Sequence, residues 1–196
     1  MLTIRTAQSD DASQIAPLIN LIFDEMQLEE LEDVPEPGLE KVITMAYRTK
    51  DYLSGKATTV VAEANGQVVG VAFGYPSENE EAVDRVLEDL SAQSDDFEEP
   101  VSFESETSGH EWYLDSIAVS PEYQGHGVGS QLLKALPKYA DANGQLVIGL
   151  NVDFENPGAM KLYERHGFEV VGKRMIGDHE YYHMQRGVHN KVKVAN

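Results

Sequence analysis

Apolar and polar positions alternate in two rhythms along this chain. Leu2 to Arg5 reads as a short strand, after which Ile15, Leu18, Ile19, Ile22, Phe23 and Met26 recur at i, i+3, i+4, i+7, i+8 and i+11. That spacing predicts a helix with one buried face. Ser9, Asp10 and Asp11 offer capping oxygens ahead of it, while Pro17, which lacks an amide donor, is expected to bend the helix or move its start. From Asp24 to Glu40 there are eight acidic residues and no basic one, broken by Pro35, Pro37 and Gly38, so a loop is predicted there, then a second helix to about Leu53. Thr58 to Glu63 and Val68 to Tyr75 are β-branched or apolar and meet across Asn65-Gly66, the dipeptide suited to a tight antiparallel hairpin.

The stretch 77–110 reads as an insertion, with a helix through Ala82, Val83, Val86, Leu87 and Leu90 and then an acidic run expected to be partly mobile. Trp112 to Val119 is a strand ended by Pro121, and Gly127 to Ala142 a helix expected to kink at Pro137. Gln145 to Leu150 is a strand, Pro157 to His166 a short helix closed by Gly167, and Phe168 to Arg174 and Glu180 to Gln185 are the last strands. The predicted order is β-α-α-β-β-(insert)-β-α-β-α-β-β in a single domain over 1–196, with a frayed polar tail from Gly187.

Composition narrows the chemistry. The 196 residues carry 34 Asp and Glu against 15 Lys and Arg, a formal charge of −19, and no cysteine. Disulfides, a thiolate metal site and an acyl-enzyme on sulfur are all excluded, and nothing else in the sequence points to a metal. The negative balance disfavours nucleic acid and anionic membranes and would attract cations, although charge runs commonly serve as solvated faces. No basic-then-apolar leader and no apolar run near the about 20 residues of a membrane span occur, so a cytoplasmic location is expected.

The informative stretch runs from Tyr113 through Ser130, strand to glycine-rich turn to helix, with Gly125, Gly127 and Gly129 at every second position. Glycines let the main chain approach a ligand closely, and the helix start behind them adds about half a positive charge. This is the makeup of a pyrophosphate cradle. A Walker loop would need a lysine before Ser130, which is absent; the dinucleotide fingerprint G-x-G-x-x-G is matched only as G-x-G-x-G, with Asn151 ending the next strand where an acid is wanted.

Gln124-Gly125-His126-Gly127-Val128-Gly129 resembles the Q/R-x-x-G-x-G/A signature of the GNAT superfamily of acetyl-CoA-dependent N-acetyltransferases. Downstream, Asn156-Pro157-Gly158-Ala159-Met160-Lys161-Leu162-Tyr163 followed by His166-Gly167-Phe168 is similar to that family's N-x-x-A-x-x-L-Y-x-x-x-G-F pattern. The resemblance implies a mixed α/β fold: a mostly antiparallel central sheet flanked by helices, with a splayed pair of parallel strands holding acetyl-CoA. It implies that the amides of Gln124, Gly125, His126, Gly127, Val128, Gly129 and Ser130 hold the pyrophosphate and that Ile117, Ala118 and Val119 pair with the pantetheine arm. The Val119 amide would face the thioester oxygen, Asn156 would contact the cofactor arm, and Tyr163 would protonate the departing thiolate. Two copies of the chain would pair through the last strands. Read from the residues alone, Asn156 also suits a helix cap before Pro157, and Tyr163 also suits a core position.

A primary amine of pKa near ~10.4 is protonated at neutral pH, so transfer by direct attack in a ternary complex needs a base. Strict alternation from Trp112 puts Asp115, Ile117 and Val119 on one strand face with Glu111 two steps behind, which ranks Asp115 and Glu111 first as bases. His179 and His183 are further candidates. Asn151, where some relatives carry glutamate, cannot act as one. The acceptor expected is a small-molecule or peptide amine, cationic if the acidic runs steer it. An acyl-CoA-binding regulatory or interaction module without turnover is the alternative reading.

Overall fold

The computed structural model describes residues 1–26, 31 and 34–189. A seven-stranded sheet forms its centre, built from β1 (Leu2–Thr6), β2 (Thr58–Ala64), β3 (Gln67–Pro76), β4 (Trp112–Val119), β5 (Val147–Asp153), β6 (Glu169–Ile176) and β7 (His179–Gly187) in the order β1-β2-β3-β4-β5-β7-β6. Every neighbouring pair is antiparallel except β4 and β5. The β2–β3 hairpin turns at Asn65 and Gly66, both at positive φ, as the dipeptide demands.

Helices cover both faces. On one lie α1 (Ala12–Met26), α2 (Glu36–Ala46), α3 (Lys50–Leu53) and α4 (Glu80–Ser91), whose apolar sides share a core with Val71, Phe73, Tyr75 and Tyr113. On the other lie α5 (Val128–Ala142) and α6 (Pro157–Arg165), where Leu132, Leu133 and Leu136 pack fully buried against Trp112, Ile148 and Leu150. Each such leucine contributes roughly 1.5–3 kcal/mol of burial. The stripe of α1 is buried at Ile15, Leu18 and Ile19 and packed on the core at Ile22 and Phe23; the Met26 side chain lies outside the described residues.

Several expected boundaries shift. Both α1 and α5 run through their prolines, because helix-to-sheet packing outweighs one missing hydrogen bond. The segment after the acidic run is two helices, since Tyr47 ends α2 and Thr49 caps α3 through its hydroxyl. Parts of the predicted 24–40 loop, and the tail from 190, lie outside the described residues. The first part of that loop belongs to α1, and Gly187 closes β7.

The 77–110 stretch folds back over the first core. Val83 of α4 is buried, and the chain beyond α4 is tied down by the Glu80 carboxylate, which accepts from the Ser105 and Thr107 hydroxyls and from the Glu106 and Thr107 amides at 2.6–2.9 Å. Arg174 of β6 donates to the Ser105 and Thr107 carbonyls. Among the described residues no helix is long and apolar enough to cross a membrane.

Candidate active site

β4 ends at Val119, and the chain passes through a single turn at Pro121–Tyr123 into Gln124, Gly125, His126 and Gly127 before α5 begins. Gly125 and Gly127 stand at φ 73° and 80°, left-handed conformations that strain any residue with a Cβ. Gly127 is the N-cap of α5 and has no side chain to satisfy the first helical amides, so those of Val128, Gly129 and Ser130 are left for an outside acceptor. An uncapped helix start behind two left-handed glycines suits an anion such as a pyrophosphate. The Gln124 and His126 amides already form long turn hydrogen bonds to Pro121 and Tyr123, at 3.3 and 3.4 Å. The Gln124 side chain donates to the Val119 carbonyl at 3.2 Å, and the His126 ring lies 2.8 Å from the Gln124 carbonyl.

Beside the cradle, β4 and β5 pair only at Trp112↔Ile148 and Tyr113↔Gly149 and then diverge. The divergence opens a cleft of about 440 Å³ whose walls include Ile117, Asn151, Asn156 and Tyr163. The Ser120 amide bonds Val69 of β3, so alternation turns the Val119 amide to the other, open side of the strand. Asn156 caps α6 by accepting from the Ala159 amide at 3.0 Å while it also lines the cleft. Tyr163 is 8% exposed and packs edge-on against Phe168, and burial, then the Glu25 charge, pushes its hydroxyl up to about 12.

Strict alternation along β4 does not hold. Phe73 faces Ser116 but Gly74 faces Leu114, so Asp115 is the extra residue of a β-bulge. Asp115 stays on the α1–α2 side with Tyr113, and the bulge turns Ile117 and Val119 to the opposite face, where they pack with the α5 core. Asp115 accepts from the Tyr75 and Ser116 hydroxyls at 3.0 and 2.6 Å. Its carboxylate is open to the cavities but recessed among protein atoms, and that desolvation holds its pKa above the ordinary value despite both hydrogen bonds.

A second, smaller cavity of about 80 Å³ opens on this side, between α1, α2, α4 and β4. It shares Ile22, Glu106, Asp115 and Ser116 with the larger cleft. Glu106 comes from the irregular segment after α4 and was not singled out by the sequence, where it is one acid among many. Burial, then the Asp115 charge, raises its carboxyl to about 7; the Tyr113 hydroxyl, donating at 2.6 Å, pulls the other way. Tyr113 in turn accepts from Asn151 at 2.9 Å, Asn151 accepts from His183 at 2.7 Å, and His183 faces Glu111 at 3.1 Å.

Glu111 lies at the inner end of that chain. It is fully buried, borders neither cavity, and accepts from Gln185 and the Ser108 amide. Its carboxylate fills the space that a Cβ on residue 149 would take, which is why Gly149 stands there. His179 lies on the cleft wall, 3.2 Å from Asp153.

A family model described as the Acetyltransferase (GNAT) family matches residues 22–168, three quarters of the chain. The chain belongs to the GNAT family of acetyltransferases. A solved acetyltransferase is 41% identical with a TM-score of 0.82, over 95% of this chain and 99% of that one. The uncharacterized N-acetyltransferase YhfO of Bacillus subtilis (strain 168) is 25% identical across 86% of this chain and 90% of its own length. YncA of Salmonella typhimurium, solved with its cofactor acetyl-CoA, shares the fold at a TM-score of 0.60 and 19% identity, over 98% of this chain and 96% of that one. As a GNAT acetyltransferase this chain is an acyltransferase, and the splayed β4–β5 pair is the feature that its glycine cradle and cleft are built around.

Proposed function

We propose that this GNAT protein acetylates a primary amine by direct transfer from acetyl-CoA, with both substrates bound at once. The supporting observation is that the two cavities meet at a common wall formed by Glu106, Asp115, Ser116 and Ile22. One lies along the splayed β4–β5 pair, and the other is lined with carboxylates suited to a cationic acceptor.

The residues present fit acetyl-CoA: left-handed glycines and free amides for the diphosphate, an open β4 edge for the pantetheine arm, and a cleft leading inward. When bound, it supplies an acetyl group activated as a thioester. The amides of Val128, Gly129 and Ser130 would hold the diphosphate, and the Val119 amide would serve as a donor to the thioester oxygen on which negative charge develops. Glu106 takes a proton from the bound ammonium and so frees the nitrogen lone pair for attack. A carboxylate raised to about 7 is close to the optimum for a base working at neutral pH, and Asp115 keeps the ammonium beside it. The neutral amine attacks, the nitrogen–carbon bond forms, the carbon–sulfur bond breaks and Tyr163 gives its hydroxyl proton to the sulfur; the second proton that the nitrogen sheds as the amide forms restores the Tyr163 hydroxyl, and Glu106 returns its own to solvent. Glu111, sealed from both cavities, acts as a positioning residue through His183, Asn151 and Tyr113.

The test is thiol release from acetyl-CoA with amines, comparing the wild type with Glu106→Gln. Transfer should fall about 10²–10⁴-fold in the variant while thermal stabilisation by coenzyme A persists. A variant as active as the wild type removes Glu106 from the mechanism, and a wild type that binds coenzyme A but releases no thiol with any amine supports a binding module instead.

A further inference from the structure

The smaller cavity has two kinds of wall, and together they describe an acceptor. Four rings form a ladder along it: Tyr47 and Tyr52 at 5.2 Å, Tyr52 and Phe73 at 4.6 Å, Phe73 and Tyr75 at 5.9 Å between centroids. These edge-on and tilted arrangements are the ones aromatic rings prefer, so a further ring entering the space extends an existing stack. Five carboxylates line it, Glu80, Asp84, Glu104, Glu106 and Asp115, of which Glu106 and Asp115 also line the cleft, and among the described residues lining the cavity there is no Lys, Arg or His. The cationic charge that would balance these carboxylates is therefore absent from the cavity wall itself.

Size limits what can enter. About 80 Å³, against the ~10–15 Å³ that one water occupies on the same measure, admits roughly six to eight heavy atoms, the size of one ring and a short tether. At Ile43, Phe73 and Val83 the wall has no acceptor side chain, so a polyamine running along the ring ladder would leave an ammonium group unpaired there. A peptide terminus would place its amides against the same apolar wall.

We propose that the acceptor is an arylalkyl primary monoamine, its ring on the Tyr47–Tyr52–Phe73–Tyr75 ladder and its ammonium between Asp84 on the helical side and Glu106 and Asp115 on the wall shared with the cofactor cleft. This rests on the acetyl-transfer reading above. The aromatic wall selects a ring, the carboxylates select a cation, and the wall shared with the cleft delivers the nitrogen to the acyl group. Asp84 lies on the helical side, away from the cleft, and so contributes to binding the amine and not to the cofactor.

Thiol release is measured with 2-phenylethylamine, spermidine and an alanyl peptide in the intact protein, and repeated with Asp84→Asn. The expected kcat/KM for 2-phenylethylamine exceeds that for the other two by at least about tenfold. Asp84→Asn is expected to raise the KM for 2-phenylethylamine about tenfold and leave that for acetyl-CoA unchanged, a split that misfolding would not produce. Greater activity with spermidine or the peptide overturns the acceptor class and leaves acetyl transfer standing. An unchanged KM in Asp84→Asn overturns the placement of the ammonium. No thiol release with any amine, in protein that binds coenzyme A, overturns both readings.

Discussion

Tyr113→Phe should move the acid limb of the rate profile without breaking the site. In the wild type the Tyr113 hydroxyl donates to the Glu106 carboxylate at 2.6 Å and accepts from Asn151 at 2.9 Å. A hydrogen bond to the charged form favours ionisation, so it opposes the burial and the Asp115 charge that raise Glu106 to about 7. Hydrogen bonds to charged groups contribute ~1.5–3 kcal/mol, and 1.36 kcal/mol corresponds to one pH unit. Removing this one should carry the inflection upward by ~1–2 units, to roughly 8–9. Glu106 is the base only when ionised, so kcat/KM at pH 7 should fall ~5- to 50-fold and recover near pH 9. Asn151 keeps its second acceptor, the Glu106 carbonyl at 3.0 Å, so the fold should survive. The assay is thiol release from acetyl-CoA with saturating cofactor and limiting amine between pH 5.5 and 9.5. An inflection that stays at the wild-type position, or a loss equal at every pH, would refute the coupling of Tyr113 to a catalytic Glu106.

Tyr163→Phe should lower kcat ~10²-fold or more with little change in the KM for the amine, read from steady-state kinetics; an unchanged kcat returns Tyr163 to the core packing against Phe168. Gly149→Ala should drive a methyl into the Glu111 carboxylate and lower stability by ~1–3 kcal/mol in urea unfolding, with a native-like midpoint counting against that packing. Asp11→Asn should keep one acceptor oxygen but lose the charge and with it one of the Arg5 bonds, at 2.7 and 2.9 Å, that the two carboxylate oxygens accept, at a cost of ~1–3 kcal/mol at neutral pH. Because Arg5 holds the Asp11 carboxyl below its ordinary range, that contribution is complete above pH ~3.9 and lost as pH falls through the lower folded value, so wild type and variant should converge in acid. If the acidic surface steers a cationic amine, added salt should raise the amine's KM, and a flat response removes steering from the account.

Much of the sheet was legible because its signals are local. Asn65-Gly66 can form the hairpin it does, and Gly125 and Gly127 occupy backbone conformations that few other residues tolerate. Asn156 and Pro157 mark the start of α6, with the capping bond in place. The catalytic geometry was less so. A bulge adds one residue to a strand without altering its composition, so unbroken alternation left Ile117 and Val119 on the face of Asp115, whereas they pack on the opposite one. Glu106 sits in an acidic run with no periodicity, and the Glu80 hydrogen bonds that fold that run back toward β4, with the Tyr113 hydroxyl at its carboxylate, distinguish it from its neighbours. Glu111 was visible as an acid near the strand, but its enclosure by His183, Gln185 and Gly149 depends on contacts more than 35 residues apart in sequence.

The central claim is that an acetyl group passes straight from coenzyme A to an amine held at the Glu106–Asp115 wall. Acetyl-labelled coenzyme A incubated with the protein and 2-phenylethylamine tests it most directly. The account predicts label in the amine in one-to-one step with free thiol, and none carried by the protein. Label retained covalently on the protein as a competent intermediate, or no transfer at all from bound cofactor, would contradict it.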